Sequence, residues 1–464
     1  MVWVALISLF ALLNPPSCFF AGALRLSAGE SGRSAVAFSG GGIPALVSAM
    51  CVERALDEYV PEWDSSKSTT ISTVSGGSAG HAIYSNARAK VSFPDLERGF
   101  GMKLEELQKT LDPPRSDAEQ IYMLQVNHLI ESLGIGSIAK LILALFKYAG
   151  NHKNWWSNIM DLMITFPYNI THAVAPGENW IAGFSAIKKD KCPLSLDKNG
   201  DMKSLDATAG LIPSTATTRP DGSVAIEAHG AFAGAFSDAQ NNVTFQDILG
   251  FSTAFWVSNV VDNRVPFWTL QWTLSQLFSS LSGQRAAWFA SDGGNVDTTG
   301  IVNLLRSKHS RIVAFYSNNK NMTELASPIA YLFGMNGTSD AMNSIEGSAL
   351  NQVFASELYA DTMRNLTSGP YALLRNIDVM KNSFLGIDEA YTLDELMIIA
   401  SNGPSQREFL SNFDDSAHIS AALDVRFPTY FPVALPDLDA NVVCLYEHWK
   451  VRENRDKIKE VLSS

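Results

Sequence analysis

Three short segments carry residue types whose order could support acyl transfer. In residues 69–80, Thr-Thr-Ile-Ser-Thr-Val-Ser-Gly-Gly-Ser-Ala-Gly, a β-branched run stops at a serine, turns on glycines and enters a helix-capable stretch at 81–90. A strand that ends in a tight turn before a helix lifts one side chain clear of its sheet, the logic of a nucleophile elbow. Two registers fit. Ser78 satisfies G-x-S-x-G within 76–80, whereas Ser75 comes directly off the strand end, with Gly76 and Gly77 placed where the backbone must pass close to a substrate. Ser75 is the preferred nucleophile and Ser78 the alternative; in isolation such a pattern is equally a plain glycine turn.

The second segment is another short apolar strand, 34–38, followed by Ser39-Gly40-Gly41-Gly42 and a helical pattern over 44–56. Consecutive glycines expose backbone N–H groups, and the helix start behind them adds positive dipole, so Gly41 and Gly42 are candidate oxyanion donors. Pro44 sits where a first helical residue would lie. A nucleotide phosphate loop is disfavoured, because no Gly-Lys-Ser/Thr follows and no acidic residue ends a second strand. The third segment, 290–297, reads Ala-Ser-Asp-Gly-Gly-Asn-Val-Asp and precedes a helix-like run at 300–308 and a strand at 311–316. Asp before two glycines is commonly a turn former; beside the other two segments, Asp292 becomes a candidate base.

Ser-Gly-Gly-Gly-Ile at 39–43, Ile-Ser-Thr-Val-Ser-Gly-Gly at 71–77 and Asp-Gly-Gly-x-x-Asp-x-x-Gly at 292–300 resemble the patatin and cytosolic phospholipase A superfamily of Ser–Asp acyl hydrolases. The resemblance implies a three-layer α/β fold: a central, mostly parallel sheet flanked by helices, with a helical cap insertion. It also implies Ser75 as nucleophile, Asp292 as base, Gly41 and Gly42 as oxyanion loop, no cofactor, and a phospholipid, lysophospholipid or acylglycerol as substrate. The family carries Arg shortly after its glycine loop, and this chain has Pro44, which supplies neither a cation nor an N–H. That departure leaves a catalytically weak or inactive lipid-binding relative as one alternative. A Ser–His–Asp esterase using Ser78 with His418 or His448 is another. A carboxylate of ordinary pKa is a poor base toward a hydroxyl, so Asp292 is expected to be desolvated and its pKa raised.

Elements that must position these groups can be read around them. Residues 1–23 hold no charged side chain and end in Ala-Gly-Ala, which reads as a signal peptide before a single domain over 24–464. Asn169, Asn242, Asn321, Asn336 and Asn365 each begin an Asn-x-Thr acceptor, so a secreted or lumenal glycoprotein is expected. Of 4 cysteines, Cys18 would leave with the signal and Cys51 reads as a buried thiol on the apolar face of a helix, leaving Cys192 and Cys444 as the pair that could form a disulfide. A net charge of −12 without a polybasic cluster disfavours nucleic acid and strong docking to anionic membranes. The 8 histidines include no H-x-x-x-H pair, and no metal site is expected.

Between the first two segments and the third lies an insertion, expected to cap the site within about 100–285. Its apolar helix at 137–148, followed by Trp155 and Trp156, reads as a buried core helix or as a lid that touches lipid, with Phe267, Trp268 and Trp272 on the other wall. Residues 206–236 read as a hairpin around Arg-Pro-Asp-Gly at 219–222, placed at the sheet edge or the cap base. Residues 447–464 read as a charged, solvated helix.

Overall fold

The computed structural model describes residues 34–63, 69–87, 179–188, 211–218, 224–230, 233, 245–253, 288–317, 328–335, 351–401, 404–411 and 437–463. Their framework is a nine-stranded sheet. In chain order the strands are β1 (Ser34–Phe38), β2 (Thr70–Val74), β3 (Asn179–Lys188), β4 (Leu211–Thr218), β5 (Val224–Ala228), β6 (Trp288–Asp292), β7 (Arg311–Tyr316), β8 (Ala372–Val379) and β9 (Tyr391–Ala400). The helices are α1 (Gly42–Tyr59), α2 (Gly76–Ala87), α3 (Phe245–Ser252), α4 (Ile301–Arg306), α5 (Pro328–Leu332), α6 (Tyr359–Ser368), α7 (Pro404–Leu410) and α8 (Asp437–Leu462).

Across the sheet the order is β5-β4-β3-β2-β1-β7-β9-β8, with β6 also paired to β3. The run from β3 through β2, β1 and β7 to β9 is parallel; β4 and β6 join β3 and β8 joins β9 antiparallel, and β5 pairs antiparallel with β4. A parallel centre must be covered on both faces, and the sequence supplies apolar residues at successive positions to suit. Ala35, Ala37, Ile312, Ala314 and Tyr316 share a core with Leu304 and Leu305 of α4 and with Phe333 and Phe354. Their neighbours Phe38 and Phe315 point the other way and stack at 5.8 Å. Helices α1, α2 and α8 pack together, with α8 against β1, β7 and β9. They contribute nothing to the first core; helices therefore flank both faces of the sheet.

Three expectations need correction. The helix of the 69–80 segment begins at Gly76 rather than near 81, because Gly-Gly-Ser-Ala-Gly forms its first turns instead of a loop. Within the 100–285 stretch, which is expected to contain the cap, β3, β4 and β5 belong to the sheet and α3 packs on β3, with the β4–β5 hairpin at one edge as its turn sequence suggested. The apolar 137–148 run, Trp155, Trp156, Phe267, Trp268 and Trp272 lie outside the described residues. The C-terminal helix is not a solvated tail, for it begins ten residues earlier than its charges suggest and buries Tyr446, Lys450, Val451, Ile458 and Val461. Its Lys450 is tolerated inside because Glu447 accepts from its ammonium at 2.7 Å and Ser401 at 3.0 Å.

Packing of α8 along α1 also overturns the expected disulfide. Cys444 bonds Cys51, with Cα atoms 5.2 Å apart, and not Cys192, which lies outside the described residues. The apolar face that marks Cys51 as buried cannot reveal that the covering helix brings its own cysteine. This bridge joins residues 393 apart in sequence, and long loops gain most from closure. Reduction, or Cys51→Ser with Cys444→Ser, is expected to lower the unfolding free energy by about 2–5 kcal/mol. Urea titration with and without a thiol reductant measures it; an unchanged midpoint would show that α1–α8 packing alone carries that junction.

Candidate active site

Sheet register alone brings the first and third segments together. β2 lies parallel along β3 with Val74 opposite Gly183, and β6 lies antiparallel along the same strand with Asp292 opposite Phe184. β4 occupies the other edge of β3. Thus β2 and β6 run head-on along one edge and their C-terminal ends meet between residues 183 and 184. Ser75, one residue past the end of β2, falls beside Asp292, the last residue of β6.

Their side chains bond. Ser75 Oγ donates to Asp292 Oδ2 at 2.7 Å. Ser75 has φ 52, in the left-handed region that non-glycine residues rarely adopt, and its carbonyl accepts from Ser78 and Ala79 N–H, so it caps α2. Backbone strain at a reactive side chain is what a nucleophile elbow stores. The other carboxylate oxygen of Asp292 accepts from Gly294 N–H at 2.7 Å, which fixes the plane of the group. Asp292 is 4% exposed. Burial, partly offset by the bonds from Ser75 and Gly294, pushes its pKa up to about 6, so near neutral pH the group is an ionised, poorly solvated carboxylate with a serine hydroxyl in hydrogen-bond reach.

The glycine loop lies against this pair. Gly40 N–H donates to Thr298 O at 2.7 Å, and Ser39 both donates through its N–H to Phe315 O and accepts from Ser317 N–H. Gly41 and Gly42 have φ 143 and 66, which suits glycine and strains any other residue. A Cβ on Gly76 would overlap Gly42 O, so the start of α1 touches the residue next to Ser75. Pro44 is the third residue of α1 and not the first. It still lies in the first turn, where an N–H has no intrahelical acceptor, so the free donors of that turn belong to residues before it. Gly76 opens α2 directly behind Ser75. Two helix N-termini therefore converge on the serine, an arrangement that favours developing negative charge.

Asp297 takes a different part. Its carboxylate accepts from Thr299 N–H and Oγ1–H and from Val302 N–H, capping α4, and burial raises its pKa. Asn303 of α4 donates to Ser72 Oγ, which donates to Gly300 O, so the loop after Asp292 is tied to β2.

The other named residues fall elsewhere. Ser78 is 0% exposed and bonds Thr73 and Ser252 rather than a carboxylate. His448 bonds Glu58 and Tyr59 near the end of α1, about 24 Å along that helix from Gly42 at ~1.5 Å per residue. His418 lies outside the described residues, as do Asn169, Asn242, Asn321 and Asn336. Asn365 is exposed on α6. Among the described residues no group of three His, Cys, Asp or Glu is placed to hold a metal ion. Ser252, which accepts from Ser75 N–H, was not foreseen; a lone serine at the end of an apolar helix carries no sequence signal.

Fold and site together define an α/β protein with a serine–aspartate pair at a strand-end elbow. Compared with known proteins, the chain matches no family model and no curated protein significantly.

Proposed function

We propose that the protein is a serine acyl hydrolase that cleaves carboxylic esters of lipids through Ser75 and Asp292. The observation that carries this reading is the 2.7 Å bond from Ser75 Oγ to a buried aspartate on a left-handed elbow. Asp292 takes the Ser75 proton as the oxygen attacks the ester carbonyl, and N–H groups at the start of α1, from Gly41 and Gly42, hold the oxyanion. Collapse breaks the ester C–O bond, and protonated Asp292 returns the proton to the leaving alcohol. Water then attacks the acyl-enzyme, giving its proton to Asp292, and Ser75 leaves with that proton while the fatty acid departs.

In this reading the sheet and its flanking helices form the three-layer architecture of patatin and cytosolic phospholipase A proteins, and part of 100–285 caps the site. The substrate is a phospholipid, lysophospholipid or acylglycerol met at a membrane or lipid aggregate. Secretion or residence in a lumen is supported by the uncharged 1–23 segment, by exposed Asn365 within its acceptor triplet and by the Cys51–Cys444 bridge, since disulfides persist in oxidising compartments. Pro44 favours a second reading, a lipid-binding relative with weak chemistry, because no cation follows the glycine loop.

A fluorophosphonate probe separates the two. Covalent label is expected on Ser75, at a rate that rises about tenfold per pH unit below pH 6 and levels above it, because only ionised Asp292 accepts the proton. An absence of label would favour the lipid-binding relative, label on Ser78 would move the nucleophile, and a rate independent of pH between 4.5 and 7.5 would remove Asp292 as base.

A further inference from the structure

The backbone of Ser75 is held by a residue that the chemistry above leaves unused. A non-glycine residue keeps φ 52 only when its surroundings impose it. Ser75 N–H donates to Ser252 Oγ at 3.1 Å, and Ser252, the last residue of α3, is fully buried. The direction of every hydroxyl bond around it follows from one carbonyl. Gly183 O can only accept, so the Ser252 proton goes there, at 2.7 Å. Ser78 then donates to Ser252 at 2.7 Å, Thr73 to Ser78 at 2.8 Å, and Trp180 Nε1–H to Thr73 at 2.6 Å. Both lone pairs of Ser252 are engaged, one by Ser78 and one by Ser75. Gly183 is the residue opposite Val74 and next to the partner of Asp292; a single hydroxyl thus ties the backbone of Ser75 to the point on β3 where both members of the pair are registered.

We propose that Ser252 is a positioning residue for the Ser75–Asp292 pair, acting through the Ser75 N–H to hold the left-handed elbow. The proposal rests on the reading of Ser75 as nucleophile for its kinetic consequence, but not for its structural one. The test compares crystal structures and fluorophosphonate labelling of the wild type and Ser252→Ala. In the variant, Ser75 is expected to leave the left-handed region or to lose its bond to Asp292. The rate constant of the covalent step should fall on the order of 10–100-fold, with the probe concentration for half-saturation unchanged, since misplacement of a reacting group by about 1 Å has that effect. Asn454→Ala removes a buried side chain that bonds Lys450 O in α8; it should lower the melting temperature comparably and leave labelling alone, which separates positioning from a general loss of stability. Should Ser252→Ala not fold, Ser252→Cys keeps the shape and substitutes a weak acceptor, and the same losses are expected of it. An unchanged Ser75 φ and Asp292 bond in the variant, or labelling that falls only as far as in Asn454→Ala, would overturn the proposal. A displaced Ser75 in the Ser252→Ala crystal beside a wild type that takes no label would sink the hydrolase reading and leave the positioning role standing.

Discussion

Replacing Asp292 with Asn is expected to cut ester hydrolysis and probe labelling by on the order of 10²–10⁴-fold, the range that a general base supplies. Asn keeps the shape of the group, its oxygen can still accept from Gly294 N–H, and Ser75 Oγ can accept from its amide; what disappears is a site for the proton. Ser75→Ala should abolish both signals. Residues that act as a unit do not add, so the double variant should be little worse than Ser75→Ala alone. Ser78→Ala should retain a measurable part of both.

Stability should move the other way. A buried carboxyl with a raised pKa contributes stability below its unfolded value of 3.8, and the contribution is lost as pH rises through about 6. Above that pH the folded protein holds a desolvated charge that the unfolded chain solvates freely. The shift spans about two pH units, each worth about 1.4 kcal/mol. Asp292→Asn should therefore raise the unfolding free energy at pH 7.5 by on the order of 2–3 kcal/mol, and the gain should vanish near pH 4. Urea titrations at the two pH values measure it. A variant both less active and less stable at pH 7.5 would mean that the Ser75 and Gly294 bonds outweigh desolvation, and the carboxylate would then be too well solvated to serve as a base.

The three segments that form the candidate site were legible in the sequence because each is punctuated at a strand end. Strands at 34–38, 70–74 and 311–316 announce themselves as β-branched or apolar runs stopped by glycine or polar residues. Glycines mark where backbones must approach. What no single-sequence pattern carries is lateral placement. Nothing local to Trp288–Asp292 says that it runs head-on toward β2 along β3, since that depends on the register of a strand contributed by the insertion. The same limit explains the disulfide, decided by which helix covers α1, and the buried end of α8, where Lys450 and Glu447 read as solvated charges until they are seen to neutralise each other. Ser252 was invisible for a related reason: its partners come from the elbow between β2 and α2, from α2 itself and from β3.

Gly76→Ala tests whether contact between the two helix starts matters to the chemistry. A methyl group at 76 would overlap the carbonyl of Gly42 and lie 2.8 Å from its carbon, and neither atom belongs to a flexible side chain. The backbone of α1 must therefore retreat. Overpacking of this kind costs about 1–3 kcal/mol of stability. The expected loss of hydrolysis is larger, on the order of 10²-fold, because donors aimed at a developing oxyanion act only at hydrogen-bond distance and a retreat of about 1 Å removes them. The loss should fall on the rate of the chemical step and leave substrate half-saturation nearly unchanged, since an oxyanion contact strengthens in the transition state. Circular dichroism and a melting curve establish that the variant is folded; steady-state kinetics on a short soluble ester then isolate the step. Undiminished turnover in a folded Gly76→Ala protein would place the oxyanion donors away from the Gly41–Gly42 start of α1, and a loss confined to half-saturation would make that loop a substrate-binding edge instead.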